Sequence, residues 1–80
     1  MKEMTKEEFQ FIIDIKKEYE FSINGKRYNI TYGKDDTGKN YIALGRLYDS
    51  PERYYSFGEL INFAKIDNQY LRELIPFLEP

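Results

Sequence analysis

The 80-residue chain contains no cysteine, no histidine and no tryptophan. Without cysteine, disulfides and thiol nucleophiles are excluded. Without histidine, a Ser–His pair has no base, and a zinc site would depend on carboxylates alone. A chain of this size buries only about 60–65% of its unfolded surface, and disulfides, metals or oligomerisation usually reinforce it. We therefore expect no catalytic residues, no metal and no cofactor, and we expect self-association or dense packing to stabilise the fold.

Strong net charge and long apolar runs are also missing. Twelve basic and fourteen acidic residues give a net charge of −2, so nothing attracts the chain generally to nucleic acid or anionic membranes. The longest apolar run, residues 41–44, is too short for a membrane span or a signal peptide. We expect one cytoplasmic domain over residues 1–80, with membranes excluded and nucleic acid disfavoured as partners.

Aromatic residues are abundant, at 18% of the chain, and all of them are Tyr or Phe. One interpretation is an adhesive binding surface. The other is nucleotide bias, since nine Ile and eight Lys stand against two Ala and no Val, and the favoured types have A/T-rich codons. We favour the second interpretation.

The start of the first helix is marked by a capping signature. Thr5 is a candidate N-cap, and Glu8 three residues later completes a capping box. Met4 and Phe9 occupy the positions of a hydrophobic staple. This pattern predicts a helix over residues 6–17.

The apolar arc of this helix is unusually wide. Phe9, Ile12 and Ile13 share one face, while Phe11 and Ile15 fall on an adjoining one. Together they cover roughly 200° of the helix, more than a surface helix needs. Either the helix lies between two layers, or Phe11 and Ile15 meet a partner.

A hairpin follows, with strands predicted over residues 18–24 and 26–33. Asn24-Gly25 is typical of a type I′ turn, which needs positive φ at both central positions. The register that places Phe21 opposite Tyr28 gives one apolar and one polar face. The predicted apolar-face pairs are Ile23–Lys26, Phe21–Tyr28 and Tyr19–Ile30, and the polar-face pairs are Ser22–Arg27, Glu20–Asn29 and Glu18–Thr31.

The rest of the chain predicts one more strand and two helices. The strand covers residues 40–47, with Ile42 and Leu44 facing the core, and a loop follows it. Helices are predicted over residues 57–65 and 68–78. The predicted fold is α+β: an N-terminal helix, a three-stranded antiparallel meander and two C-terminal helices on one face of the sheet.

The caps of the two C-terminal helices are also predicted. Ser56 and Glu59 form a second capping box, with Tyr55 as a staple residue. Asp67 is the expected cap of the last helix, and Pro76 should end or kink it because proline lacks an amide donor.

Two local patterns that suggest ligand binding have simpler explanations. Gly33, Gly38 and Lys39 satisfy G-x-x-x-x-G-K, but Asn40 replaces the required hydroxyl, and a strand follows instead of a helix. We interpret the segment as a hairpin loop. The acidic residues Asp35, Asp36, Asp49 and Glu52 do not match a calcium loop and are interpreted as solvated charges.

Eight residues remain as a candidate interaction surface. Tyr and Arg are common anchors of protein interfaces. For some of the tyrosines, covering the sheet edge is an equally good explanation. The candidates are Phe11, Ile15, Arg27, Tyr41, Arg46, Tyr48, Arg53 and Tyr54.

Two segments, residues 20–30 and 56–67, resemble a group of short uncharacterised proteins of low-GC Gram-positive bacteria and their phages. The shared features are a Tyr-Asn-Gly-Lys hairpin and a Phe-x-x-Glu-Leu-Leu helix that runs into Lys-Ile-Asp. Here Ile23 stands in place of the Tyr before Asn24. These motifs are structural, so the resemblance implies no activity and no functional residue.

The leading functional hypothesis is a non-catalytic protein–protein interaction module that self-associates as a homo-oligomer, with any other protein partner unknown. The alternative is a small nucleic-acid-interacting or phage regulatory protein that uses the polar sheet face, with Arg27 and Tyr41. An enzyme ranks third, because it would need a pocket with a perturbed carboxylate or lysine.

Overall fold

A computed structural model describes residues 3–47 and 49–80 and has an α+β architecture. Its elements, in chain order, are α1 (Lys6–Asp14), β1 (Tyr19–Ile23), β2 (Lys26–Lys34), β3 (Asn40–Arg46), β4 (Glu52–Tyr54), α2 (Phe57–Phe63), β5 (Lys65–Ile66), β6 (Gln69–Tyr70), α3 (Leu71–Leu74) and a 3-10 helix (Ile75–Phe77). The main sheet is antiparallel in the order β1-β2-β3-β4, and β5 and β6 form a separate hairpin. The predicted α+β class is confirmed.

The register of the β1–β2 hairpin is the one that the sequence predicts. Tyr19 lies opposite Ile30, Phe21 opposite Tyr28 and Ile23 opposite Lys26. Asn24 and Gly25 have φ values of 53° and 75°, as a type I′ turn requires. β3 also forms at its predicted place, with Ile42 and Leu44 buried.

The predicted three-stranded meander is wrong in one respect, because β4 adds a fourth strand. The sequence predicts a loop here, yet Arg53 pairs with Ala43 and Tyr54 with Ile42. Three residues are too few to show an alternating pattern. Pro51 directly precedes the strand, where its missing amide costs no ladder hydrogen bond.

The start of α1 is confirmed, and its end is earlier than predicted. The Thr5 hydroxyl accepts from the Glu8 amide at 3.1 Å, and the Glu8 carboxylate accepts from the Thr5 amide at 3.0 Å. The helix ends at Asp14 because Lys16 adopts a φ of 55°. The Lys16 and Lys17 amides donate to the carbonyls of Ile13 and Ile12, which is a Schellman motif without glycine.

α2 begins as predicted and ends two residues early, at Phe63. The Ser56 hydroxyl accepts from the Glu59 amide at 3.0 Å. The Glu59 carboxylate accepts from the Tyr55 amide at 3.4 Å, so the second half of the predicted capping box reaches one residue further back. Ala64 follows in an extended conformation and ends the helix.

The predicted helix over residues 68–78 is wrong. Asp67 and Asn68 have φ values of 52° and 68° and form the turn between β5 and β6. Asp and Asn tolerate this left-handed conformation, so a residue type that favours helix caps here makes a hairpin instead. Only α3 and the 3-10 helix with Pro76 remain helical.

The large aliphatic side chains of this segment are nevertheless buried. Leu71, Leu74, Ile75 and Leu78 are each at most 6% exposed. One α-helical turn, one 3-10 turn and the extended residue that follows keep these side chains on one side of the segment. They join the side chains from α1, α2 and the inner sheet face in a single core.

Tyr19 packs against the edge of the core and carries the one buried side-chain polar atom without a partner among residues 3–47 and 49–80. The Tyr19 hydroxyl is buried and makes no hydrogen bond, while its ring stacks against Phe21 with centroids 5.8 Å apart. Burial also raises the pKa of Tyr19. A buried donor that lost its water without gaining a protein partner opposes folding.

We expect Tyr19→Phe to stabilise the protein by about 1 kcal/mol, because the variant keeps the ring and removes the unsatisfied hydroxyl. Urea unfolding followed by circular dichroism measures this difference. Tyr32→Phe is the matched control, since the Tyr32 hydroxyl donates to the Lys17 carbonyl at 2.8 Å and its loss should destabilise. Equal destabilisation by both variants would contradict the role assigned to Tyr19.

Candidate interaction surfaces

The main sheet has one face packed against the helices and one outer face. Alternation along the strands places Arg27 of β2, Tyr41 and Ala43 of β3 and Arg53 of β4 on the outer face. The helices bury their apolar residues against the opposite, inner face. Three of the predicted surface residues, Arg27, Tyr41 and Arg53, therefore share one side of the molecule.

Tyr41 is held in place by its neighbours on the outer face. A Cβ atom added at Gly33, its partner across the β2–β3 ladder, would lie 2.6 Å from the Tyr41 hydroxyl. The Arg53 guanidinium carbon lies 4.3 Å from the centre of the Tyr41 ring, and the Tyr55 ring meets it edge-on at 6.5 Å. Three intramolecular contacts therefore already occupy Tyr41.

Tyr55 belongs to this cluster, a role that the predicted staple does not describe. Its ring is 37% exposed, with the Lys39 ammonium 5.1 Å from its centre. Its hydroxyl hydrogen-bonds the Asp35 carboxylate, and this bond is the main cause that raises the pKa of Tyr55. The sequence did not reveal these contacts, because β4 was not predicted. The pairing of β4 with β3 brings Tyr55, the residue after the strand, beside Tyr41.

The Asp35 carboxylate organises the β2–β3 loop. Its Oδ1 accepts from the Thr37 hydroxyl at 2.6 Å, the Thr37 amide at 2.9 Å and the Lys39 amide at 3.0 Å. The Thr37 hydroxyl bond, followed by the Lys39 amide bond, lowers the pKa of Asp35 to about 2. The amides that a phosphate would need in a G-x-x-x-x-G-K loop are thus occupied by the chain's own carboxylate.

Arg27 is also engaged within the molecule. One guanidinium nitrogen donates to the Ser22 hydroxyl at 2.9 Å, and the other donates to Glu20 at 3.1 Å. The pair with Glu20 is about half exposed on both sides, so it contributes little to stability. It does neutralise the positive charge that the nucleic-acid hypothesis assigns to this face.

Two of the remaining loop candidates, Arg46 and Tyr54, line one shallow hollow of about 230 Å³. Arg46 is exposed at the end of β3, on the inner-face side opposite Tyr28. Tyr54 is half-buried against the core, and burial is the main cause that raises its pKa. Tyr48 lies outside the described residues.

The two α1 candidates are both exposed. Phe11 is 62% exposed and Ile15 53%, whereas Phe9 and Ile13 of the same helix are buried. Ile12 is half-buried beside them. We call Phe11, Ile12 and Ile15 the α1 stripe. Phe11 and Ile12 help to line a shallow hollow of about 400 Å³ with Met4, Glu7 and Glu8.

A larger groove, of about 480 Å³, lies between the β1–β2 turn and the C-terminal 3-10 helix. We call it the C-terminal groove, and the residues that matter in it are Ile23, Asn24, Glu73, Leu74, Phe77 and Glu79. The sequence alone does not indicate this groove, because its walls come from two segments that are far apart in the chain, residues 22–25 and 69–79. A continuous helix over residues 68–78 also places Phe77 differently from the 3-10 turn that is present.

Residues 3–47 and 49–80 hold no group of three or more acidic side chains arranged to bind a metal ion. In the same part of the chain, no helix is long and apolar enough to cross a membrane.

A scan against protein-family models matches none of them, and searches of the curated proteins and of the solved structures find no match. The resemblance to short Gram-positive and phage proteins therefore stays a prediction.

We expect the stability of the protein to depend on Asp35 between about pH 4 and about pH 2. The folded pKa lies below the ordinary value of 3.8, so the stabilisation is present above that value and disappears as pH falls through about 2. Asp35→Asn should therefore lower the melting temperature at neutral pH and approach the parent protein near pH 2.

Thermal unfolding followed by circular dichroism across this pH range makes the comparison. Asp36→Asn changes the neighbouring exposed residue in the same loop and serves as the control. Parallel pH profiles for the parent protein and Asp35→Asn would refute the role of this carboxylate.

Proposed function

We propose that the protein is a non-catalytic protein-interaction module that binds a second copy of itself through the α1 stripe. The observation that carries the proposal is the exposure of Phe11 and Ile15, each more than half accessible. These side chains lie one helical turn apart, so they form one patch. Full burial of such a side chain is worth about 1.5–3 kcal/mol.

Other exposed apolar residues support the proposal less well. Phe63, at the end of α2, is 69% exposed, and its chain neighbour Asn62 is polar and exposed. A single exposed apolar side chain is common on soluble proteins and needs no partner. The α1 stripe differs because three apolar residues adjoin one another.

A two-fold arrangement suits the spacing of the stripe. If two α1 helices pack antiparallel, Phe11 of each copy can lie against Ile15 of the other. Such a reciprocal contact is the usual form of a symmetric dimer. α1 has only nine residues, about 14 Å of helix, so its contact is small and the dimer weak.

The two alternative functions receive less support from the side-chain contacts. Arg27 and Tyr41, which the nucleic-acid hypothesis requires, are bonded within the chain, and Glu20 shares their face. For catalysis, the carboxylates with displaced pKa values are Asp35 and Asp67. Both pKa values are lowered by hydrogen bonds that have structural roles.

We expect Phe11→Ser/Ile15→Ser to weaken self-association by about tenfold or more, because the variant removes both large apolar side chains of the stripe. The melting temperature should stay within a few degrees of the parent protein, since neither residue is in the core. Sedimentation velocity over a concentration series up to about 1 mM measures the association.

Phe63→Ser is the matched control, because it removes an equally exposed aromatic side chain from another helix. A parent protein that stays monomeric throughout the series would overturn the proposal. An equal loss of association in Phe63→Ser would show general hydrophobic adhesion instead of a specific interface.

A further inference from the structure

We propose that the C-terminal groove binds a segment of a protein partner that presents an arginine or lysine side chain. This inference concerns a surface separate from the α1 stripe and does not rest on self-association. It rests on the fixed walls of the groove, its apolar lining and its uncompensated negative charge.

The walls are fixed by contacts between distant parts of the chain. On one side, the β1–β2 turn is held by Asp67, whose carboxylate accepts from the Asn24 side-chain Nδ2 at 3.1 Å and from the Lys26 ammonium at 3.2 Å. On the other side, Glu79 exchanges backbone hydrogen bonds with Ser22 in both directions. A groove with anchored walls loses little conformational entropy when a ligand enters.

The lining suits the alkyl stem of a long cationic side chain. Ile23 and Leu74 are nearly buried and leave only a small apolar area open to the groove, whereas Phe77 is 61% exposed. Lysine and arginine lay their methylene groups along apolar surface while the charged end stays solvated. An exposed aromatic ring also attracts a cation over its face.

The charge of the groove is negative and unbalanced. Glu73 and Glu79 are its charged residues, and no Lys or Arg lines it. Within residues 3–47 and 49–80, neither carboxylate has an ion-pair partner, whereas Asp67 at the adjacent turn is already paired with Lys26. Charge complementarity therefore selects a cationic ligand and disfavours an acidic one.

The backbone contacts indicate that a side chain enters, and that no strand is added. β1 is an edge strand of the main sheet, where a peptide would otherwise extend the ladder. The outward amide and carbonyl of Ser22 are already bonded to Glu79, which blocks that position. We therefore expect the partner segment to run across the groove without pairing with β1 as a strand, and to insert one side chain into the groove.

The test uses acetyl-Leu-Arg-Leu-amide as the probe and acetyl-Leu-Glu-Leu-amide as its charge-reversed control. Each peptide is titrated to about 10 mM into the isotope-labelled full chain, and amide shifts are followed by NMR. We expect saturable shifts around residues 22–25 and 73–79 with the arginine peptide, and none with the glutamate peptide. No saturation, or equal shifts with both peptides, would overturn the inference.

Matched variants then separate the parts of the proposal. Glu73→Gln/Glu79→Gln removes both charges without changing side-chain size and leaves the Glu79 backbone bonds in place. It should weaken binding by about threefold or more, as expected for exposed charge pairs. Phe77→Ser should weaken binding as well, through loss of the apolar wall.

The α1 variant Phe11→Ser/Ile15→Ser should bind the arginine peptide as tightly as the parent protein does. Unchanged binding in Glu73→Gln/Glu79→Gln would overturn the charge argument. Tighter binding of spermidine than of the arginine peptide would overturn the assignment of a protein partner. Because α1 and the groove are tested with different variants, failure of one proposal is distinguishable from failure of the other.

Discussion

The left-handed turn at Asn24 and Gly25 is the constraint on which the rest of the fold depends. It sets the β1–β2 register, and a shift by one residue would turn Phe21 and Ile30 from the core to solvent. With the register set, the inner face offers one continuous apolar surface to the helices. The same turn also forms one wall of the C-terminal groove, so local backbone geometry connects the core to a surface feature.

Features with strong local signals were predictable from the sequence. The Thr5 capping box and the β1–β2 register depend on residues close together in the chain, and both are confirmed. The wrong predictions arose where tertiary contacts decided between local alternatives. Asp67 fits both a helix cap and a left-handed turn, and its bonds to Asn24 and Lys26, over 40 residues away, accompany the turn. β4 was missed because pairing with β3, not its own pattern, defines it.

The candidate surface was only partly predictable for the same reason. The helical period places Phe11 and Ile15 on a different face from Phe9 and Ile13, but it leaves open whether that face packs against a second layer; the structure exposes both side chains. Whether Tyr41 or Arg27 is free to bind a partner depends on neighbours that alternation cannot identify. Gly33, Arg53 and Tyr55 surround the first, and Ser22 and Glu20 hold the second. The C-terminal groove left no sequence signal, because it forms where residues some fifty positions apart meet.

The two faces of the molecule use their aromatic residues differently, and this difference indicates where binding energy is available. On the outer sheet face, the rings of Tyr41 and Tyr55 already contact cations and each other, so a partner would have to replace existing contacts. The Phe11 and Phe77 rings are each more than 60% exposed to water, so a partner gains their burial directly. Association is favoured where water is displaced and no internal contact is lost. This difference is why we propose interaction at α1 and at the C-terminal groove, although the outer face holds more of the residue types usually found in interfaces.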